Sequence, residues 1–256
     1  YLHGSELTVT FVGLAILIFM MYGWFGQVVD ESLAGLYSEQ VDRSFRWGMG
    51  WFIFSEVMFF ACFFGALYYA RALSIPWLDG ASNNDATAWL LWPNFEAAWP
   101  LINLPSADKF TVAKQAMGPW GLPAINTAIL LISGLTLTFA HWAIKKHDQV
   151  KTVYWLFATV ALGFIFVFLQ GVEYVHAYND LNLRMDSGIY GSTFYLLTGF
   201  HGFHVTMGAI MLLIIMIRAM KGHFKGKNHF AFEAVAWYWH FVDVVWLGLF
   251  VFVYWI

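Results

Sequence analysis

The 256-residue chain is 60% hydrophobic and 20% aromatic, with only 11% charged residues and a formal net charge of -3. This composition leaves too little polar surface for a water-soluble globular domain, so it indicates an integral membrane protein. The small negative charge and the absence of a basic run exclude a nucleic-acid-binding class. The single cysteine, Cys62, excludes an internal disulfide, a cysteine-based metal site and a haem attachment motif.

Six segments are long and apolar enough to cross about 30 Å of hydrocarbon at a rise of about 1.5 Å per helical residue. Helices are predicted because an isolated strand would leave its backbone polar groups unpaired in lipid. The predicted spans are 7–25, 48–73, 122–144, 154–177, 189–217 and 232–256. The sequence therefore predicts an all-α integral membrane protein with six transmembrane helices, forming a single membrane domain over 1–256.

The connection 74–121 is the least regular part of the chain, because prolines from Pro76 to Pro123 interrupt any helix there. It is also rich in aromatic side chains, namely Trp77, Trp89, Trp92, Phe95 and Trp99. We interpret it as an outer-face loop insertion that lies on the membrane surface or against a neighbouring subunit.

Basic residues predict the orientation of the spans. The loops after the first, third and fifth spans carry nine lysines and arginines, among them Lys225 and Lys227, and the other side carries four. Because short cytoplasmic loops are enriched in basic residues, those three loops are predicted to be cytoplasmic and both chain ends external. A chain beginning at Tyr1 on the outer side without a signal peptide predicts a preceding helix that is absent from this sequence.

Six ionisable residues inside the spans are the candidate functional groups, and we interpret them as buried structural or proton-related groups: Glu56, Glu173, His201, His204, His240 and Asp243. A charge at bilayer depth costs at least about 2.5 to 3.5 kcal/mol on insertion scales, so each needs a partner or a role. Hydrogen bonds between helices are the favoured role, worth about 1 kcal/mol each in a membrane.

A metal centre built from these residues is the alternative. His201 and His204, and likewise Glu173 and His176, are three residues apart and share a helix face. Carboxylate-bridged di-iron bundles need the Glu-x-x-His step twice, and only one copy is present. The sequence therefore predicts no catalytic residue and no metal ligand, while an independent membrane metalloenzyme stays open.

Helical rise suggests a partner for Glu56. Counted from the predicted inner ends of their spans, Glu56 and His240 both lie about 12 Å deep at about 1.5 Å per residue. This matched depth predicts a Glu56–His240 contact.

Four stretches carry a family resemblance. They are SEVMFF at 55–60, SGIYGSTFY at 187–195, GFHGFHV at 199–205 and EAVAWYWHFVDVVW at 233–246. With these four motifs in this order across three spans, the chain resembles subunit III of aa3-type cytochrome c oxidases, which belong to the haem-copper oxidases. The resemblance implies a seven-helix bundle with a V-shaped, lipid-holding cleft, of which this chain supplies the second to seventh helices. It implies the missing first helix of the subunit as a partner of this chain, and it leaves open whether that helix was cleaved, is a separate chain or is only missing from this sequence.

The resemblance also implies a function in aerobic respiration. Subunit III is a core non-redox subunit that stabilises subunit I, binds phospholipids and supports proton uptake during oxygen reduction. The implied partners are subunits I and II, which hold haem a, haem a3 and copper, and a small subunit IV. A related quinol oxidase remains the alternative, because nothing in the sequence identifies the electron donor.

Two further expectations follow from this family. The residues matching its lipid sites are Trp24, Glu31, Arg218 and His223, although Asp30 departs from the pattern with a charge that repels phosphate. The 74–121 insertion is longer than in mitochondrial members, which favours a bacterial form in the inner (plasma) membrane.

Overall fold

The computed structural model describes residues 4–224 and 229–256, with side chains from Leu7 onward. Tyr1, Lys225 and Lys227, which entered the orientation prediction, lie outside the described residues. The chain divides into two compact units, Tyr1–Gly48 and Met49–Ile256.

The first unit contains a long apolar helix, α1 (Gly4–Leu33), and the start of the next helix, α2 (Glu39–Tyr69). Apart from the half-buried Val28 and Val29, the large hydrophobic side chains of α1 are exposed along its described length, as expected of a helix that contacts lipid or partner helices. The turn after α1 passes through Gly35 at a φ of 70°, where a side chain would be strained. Tyr37 then donates a 2.8 Å hydrogen bond to the Glu31 carboxylate and stabilises this turn.

The second unit is a helical bundle. Its α2 portion passes through a π-helical segment, Ala70–Ser74, into the short α3 (Ile75–Leu78). The remaining helices are α4 (Leu122–Lys145), α5 (Gln149–Asn179), α6 (Gly188–Met220) and α7 (Phe230–Leu249), the last followed by a π-helical segment, Phe250–Trp255. Six helices of the described chain are long and apolar enough to cross a membrane. The prediction of an all-α membrane protein with six spans is confirmed.

Helix α2 begins nine residues before the predicted span at 48, and α5 begins five residues before the predicted 154. Ser38 precedes α2 and its side-chain oxygen accepts from the Val41 amide, while Glu39 and Asp42 lie in the positive first turn. The hydrophobic pattern marks only the part of a helix inside hydrocarbon. The polar first turns, stabilised by caps and charges, continue the helix beyond it.

The core of the second unit centres on Trp239 of α7, which is completely buried. A Cβ atom added to Gly163 of α5 or to Gly208 of α6 would lie 2.8 Å from the Trp239 ring. The indole Nε1 donates a 2.9 Å hydrogen bond to Ser133 of α4. One aromatic side chain therefore contacts three neighbouring helices, and two glycines make room for it.

The 74–121 connection has little regular structure, with a π-helical turn at Thr87–Leu91 and a 3-10 turn at Ala107–Lys109. It is nevertheless anchored to the segment between α5 and α6 and to the first turn of α6. The Lys114 amide donates to the Leu181 carbonyl at 2.8 Å, and the Met117 amide donates to the Tyr190 hydroxyl at 3.0 Å.

Two of the five loop aromatics differ from the sequence expectation. Phe95 is buried in a small cluster with Ile75 and Leu101, and Trp99 packs edge-on against Tyr190. These two side chains stabilise the loop itself and its attachment to α6. Trp89, which is 77% exposed, remains available to a membrane surface or a neighbouring subunit.

Candidate functional site in the transmembrane bundle

Glu56 and His204 form the most direct ionisable contact inside the bundle. The Glu56 Oε2 atom of α2 lies 2.8 Å from the Nε2 atom of His204 on α6. The other ring nitrogen, Nδ1, lies 2.6 Å from the Phe200 carbonyl, which can only accept, so Nδ1 carries a hydrogen. The position between Nε2 and the carboxyl is therefore where a proton is shared, either as an ion pair or as a neutral hydrogen bond.

Aromatic rings enclose this pair. Phe60 packs edge-on to the His204 ring at 5.1 Å between centroids, and Tyr238 of α7 donates to the His204 carbonyl at 3.3 Å. The side chains of Glu56 and His204 are 21% and 10% exposed, so the pair lies in a largely apolar setting. Polar contacts are stronger there than in water, and a single unpaired partner would be costly.

The predicted Glu56–His240 pairing is wrong, because Glu56 pairs with His204. The depth count started α2 nine residues too late. From the observed helix ends, Glu56 and His204 lie about 25 and 24 Å along α2 and α6, and His240 about 15 Å along α7.

His240 and Asp243 form a local pair on α7, with Nδ1 and Oδ2 3.5 Å apart. The Asp243 side chain is 10% exposed, whereas that of His240 is 44% exposed and faces outward. A Cβ atom added to Gly134 of α4 would lie 2.6 Å from the Asp243 carboxylate, so this glycine lets the carboxylate approach the α4 backbone.

Glu173 and His201 lie in the interior of the same unit. The Glu173 side chain is completely buried, and its Oε1 atom accepts a 2.7 Å hydrogen bond from the Tyr254 hydroxyl. His201 lies with Nε2 3.2 Å from the Val242 carbonyl, and its ring packs against Trp246. His176 contacts Asp180, the residue that follows α5, at 2.6 Å, so the Glu173–His176 spacing does not produce a shared site.

Neutral hydrogen bonds add further links between helices that the sequence analysis did not identify. Thr136 of α4 and Thr159 of α5 lie 2.8 Å apart through their hydroxyls, and Tyr174 of α5 and Thr198 of α6 lie 2.7 Å apart. Trp246 of α7 donates to Thr127 of α4 at 2.9 Å. In the sequence, the hydroxyl side chains within apolar spans are the only sign of such hydrogen bonds. The sequence does not identify their partners, which lie on other helices.

One cluster of metal-ligating side chains also escaped the sequence analysis. His141 at the end of α4, and His229 and Glu233 at the start of α7, bring their donor atoms within 4.8 Å of one another. His229 and Glu233 are four residues apart, a helical spacing that was visible in the sequence. Among the described residues no other group of three such donors meets, and the six predicted intramembrane groups do not converge on one centre.

The four predicted lipid-binding residues have the following surroundings. In the first unit, Trp24 is 65% exposed and stacks on Phe25, and Glu31 accepts from Tyr37. In the second unit, the Arg218 guanidinium lies 4.9 Å from the centre of the Phe224 ring. His223 also has interaction partners within the chain.

These features define a multi-pass helical membrane protein whose interior polar groups link helices to one another. Comparison with known sequences identifies the family. The family profile described as "Cytochrome c oxidase subunit III" matches residues 1–82 and 87–256, so this chain belongs to the cytochrome c oxidase subunit III family. The family resemblance predicted from the four motifs is confirmed.

Named relatives agree with this assignment. "Cytochrome c oxidase subunit 3" of Oncorhynchus masou is 39% identical over 256 residues, covering 100% of this chain and 86% of that protein. The protein of the same name from Marchantia polymorpha is 42% identical over 251 residues, covering 97% of this chain and 82% of its own length. The chain is thus a subunit of cytochrome c oxidase, a proton-translocating oxidoreductase complex of the respiratory chain.

Proposed function

We propose that this chain is a core, non-redox subunit of a bacterial aa3-type oxidase in the plasma membrane, where it stabilises subunit I and supports proton uptake during oxygen reduction. Haem a, haem a3 and copper reside in the partner subunits I and II. A small subunit IV and the preceding helix of this subunit complete the partners. The 74–121 connection supports the bacterial assignment, because it is longer than the connection expected in mitochondrial members of the family.

The observation that carries this proposal is the pairing of intramembrane groups across helices. Glu56 is linked to His204 between α2 and α6, and Glu173 is linked to Tyr254 between α5 and the C-terminal π-helical segment. Such links restrict helix motion in a bundle that has little hydrophobic driving force for association in lipid. A stiff bundle of this kind is suited to holding a neighbouring catalytic subunit in one arrangement.

Phospholipids are proposed as the bound ligands of this subunit. Arg218 lies in the last turn of α6, and its Nε atom is buried without a hydrogen-bond partner among the described residues. A cavity of about 140 Å³ opens beside this turn and is lined in part by Phe224, the ring beneath the guanidinium, and by Ala219 and Gln149. Asp148 also lines this cavity, and its carboxylate is paired with the Lys151 ammonium at 2.8 Å. Arginine donors at the end of a span suit an anionic head group.

Lipid retention tests the ligand proposal. In the purified complex, Arg218→Ala is expected to reduce the phospholipid that co-purifies with the oxidase, measured by mass spectrometry. The matched control is Arg71→Ala, in the π-helical segment after α2, where the guanidinium lies 5.9 Å from the centre of the Trp99 ring. Equal lipid content in both variants and the wild type would contradict the proposal.

Removal of the subunit tests the functional proposal. A complex stripped of this chain is expected to take up protons more slowly and to inactivate after fewer turnovers, and rebinding of the chain should restore both. A stripped complex with the full uptake rate and lifetime would overturn the proposed role.

A further inference from the structure

The second unit contains a triangle of donor atoms where α4 ends and α7 begins. The Nε2 atoms of His141 and His229 are 3.4 Å apart. The Glu233 Oε1 atom lies 3.5 Å from the first of these nitrogens and 3.2 Å from the second. Three donor atoms, one from the end of α4 and two from the start of α7, therefore face one point. His141 and His229 are 88 residues apart along the chain.

The dimensions of this triangle match a tetrahedral metal site. Zinc lies about 2.0 to 2.1 Å from imidazole nitrogen and about 2.0 to 2.2 Å from carboxylate oxygen, so neighbouring ligand atoms are separated by about 3.3 to 3.5 Å. The three observed separations fall within about 0.1 Å of that range. An ion lying over the centre of the triangle, slightly off its plane, would reach all three atoms and keep its fourth position for water.

Hydrogen bonding alone explains the triangle less well. A charge-assisted N–H to carboxylate bond is typically about 2.7 to 2.9 Å long, and both imidazole to Glu233 distances exceed this. The Nε2 atoms of the two imidazoles also face each other. They can form a hydrogen bond only if one of them carries a hydrogen and the other does not. A cation in the middle satisfies both nitrogens and the carboxylate at once.

The surroundings of the cluster leave it within reach of an ion. The side chains of His141, His229 and Glu233 are 23%, 8% and 14% exposed, so the cluster is sheltered but open on the His141 side. The Phe232 ring packs against His141 at 5.4 Å and forms one wall. Among the described residues, Lys145, one turn after His141, is a nearby cationic group.

We propose that His141, His229 and Glu233 bind a zinc ion that clamps the end of α4 to the start of α7. Two imidazoles and one carboxylate with an open fourth position form a donor set that zinc takes readily. Zinc is redox-inactive, so the site is separate from electron transfer and stabilises the helix ends. Because the ligand nitrogens must be unprotonated, acidification releases the ion.

Zinc binding to the intact purified oxidase is the test. After equilibration with zinc and removal of free metal, the wild-type complex is expected to hold one more zinc ion than complexes carrying His229→Gln or Glu233→Gln, measured by elemental mass spectrometry. Zinc-edge X-ray absorption, which is blind to haem iron and copper, should show imidazole ligands. Each variant should weaken zinc binding about tenfold or more, the range seen when metal-site partners are removed.

The matched control is His176→Gln, because His176 lies 2.6 Å from the Asp180 carboxylate but belongs to no group of three donors in the described part of the chain. That variant should bind zinc like the wild type. A second measurement needs no variant: zinc should protect His141 of the wild-type complex from modification by diethyl pyrocarbonate, read by peptide mass spectrometry. Unchanged zinc content in the variants, or modification of His141 at the same rate with and without zinc, would overturn the proposal.

Discussion

At the residue scale, the packing of the bundle requires certain glycines of α5 and α6 as strictly as it requires the partners of the ionisable groups. Gly163 and Gly208 leave space for the buried Trp239 ring, whereas Gly202, also on α6, would meet nothing within 4 Å if it carried a Cβ. The two kinds of glycine look alike in the sequence. Only the packing of α7 against α5 and α6 separates them.

This difference gives a prediction for single methyl additions. Gly208→Ala and Gly163→Ala should destabilise the isolated subunit or complex by about 1 to 3 kcal/mol, because the added Cβ would overlap the Trp239 ring. Gly202→Ala should be neutral or stabilising, because alanine favours the helix. Thermal unfolding in detergent measures all three, and equal destabilisation of Gly202→Ala and Gly208→Ala would contradict the packing account.

At the element scale, polar first turns extend the helices beyond their apolar spans, and α5 shows how. Asp148 precedes α5 and accepts a 3.0 Å hydrogen bond from the Lys151 amide, while its other oxygen lies 2.8 Å from the Lys151 ammonium. The Lys151 side-chain hydrogen bond, followed by the backbone hydrogen bond, lowers the pKa of the Asp148 carboxyl below its ordinary value of 3.8. The cap is therefore strongest with Asp148 ionised.

The lowered pKa fixes the sign of a pH dependence. The ionised cap stabilises the folded first turn at pH values above 3.8, and this contribution is lost as the pH falls through the lower, folded-state pKa. Hydrogen exchange of the first-turn amides of α5 should be faster in Asp148→Ala than in the wild type at neutral pH. The difference should shrink toward acid pH, and a difference that grows on acidification would contradict this account.

At the scale of the whole molecule, the sequence predicted the six spans because each carries an apolar window long enough to cross a bilayer. It also predicted the family, because four motifs recur in order. It did not predict the partners of the ionisable groups. Depth counted along one helix says nothing of the direction in which a side chain points, and a late start for α2 made His240, rather than His204, the match for Glu56.

The contacts that the sequence analysis missed share one physical cause. His141 lies 88 positions before His229, its partner in the cluster with Glu233, and Glu173 lies 81 positions before Tyr254. Periodicity places two residues on one helix face but does not identify which helix packs there. Packing of the whole bundle decides that.

Our central claim is that intramembrane ionisable groups hold helices together by pairing across them, and a double-mutant cycle on Glu56 and His204 tests it most directly. Unfolding free energies would be measured for Glu56→Ala, His204→Ala and the double variant, with Glu56→Ala and His240→Ala as the matched control cycle. The account predicts a coupling energy of about 1 kcal/mol for the first pair and none for the second. Absence of coupling between Glu56 and His204, or equal coupling of Glu56 to His240, would contradict it.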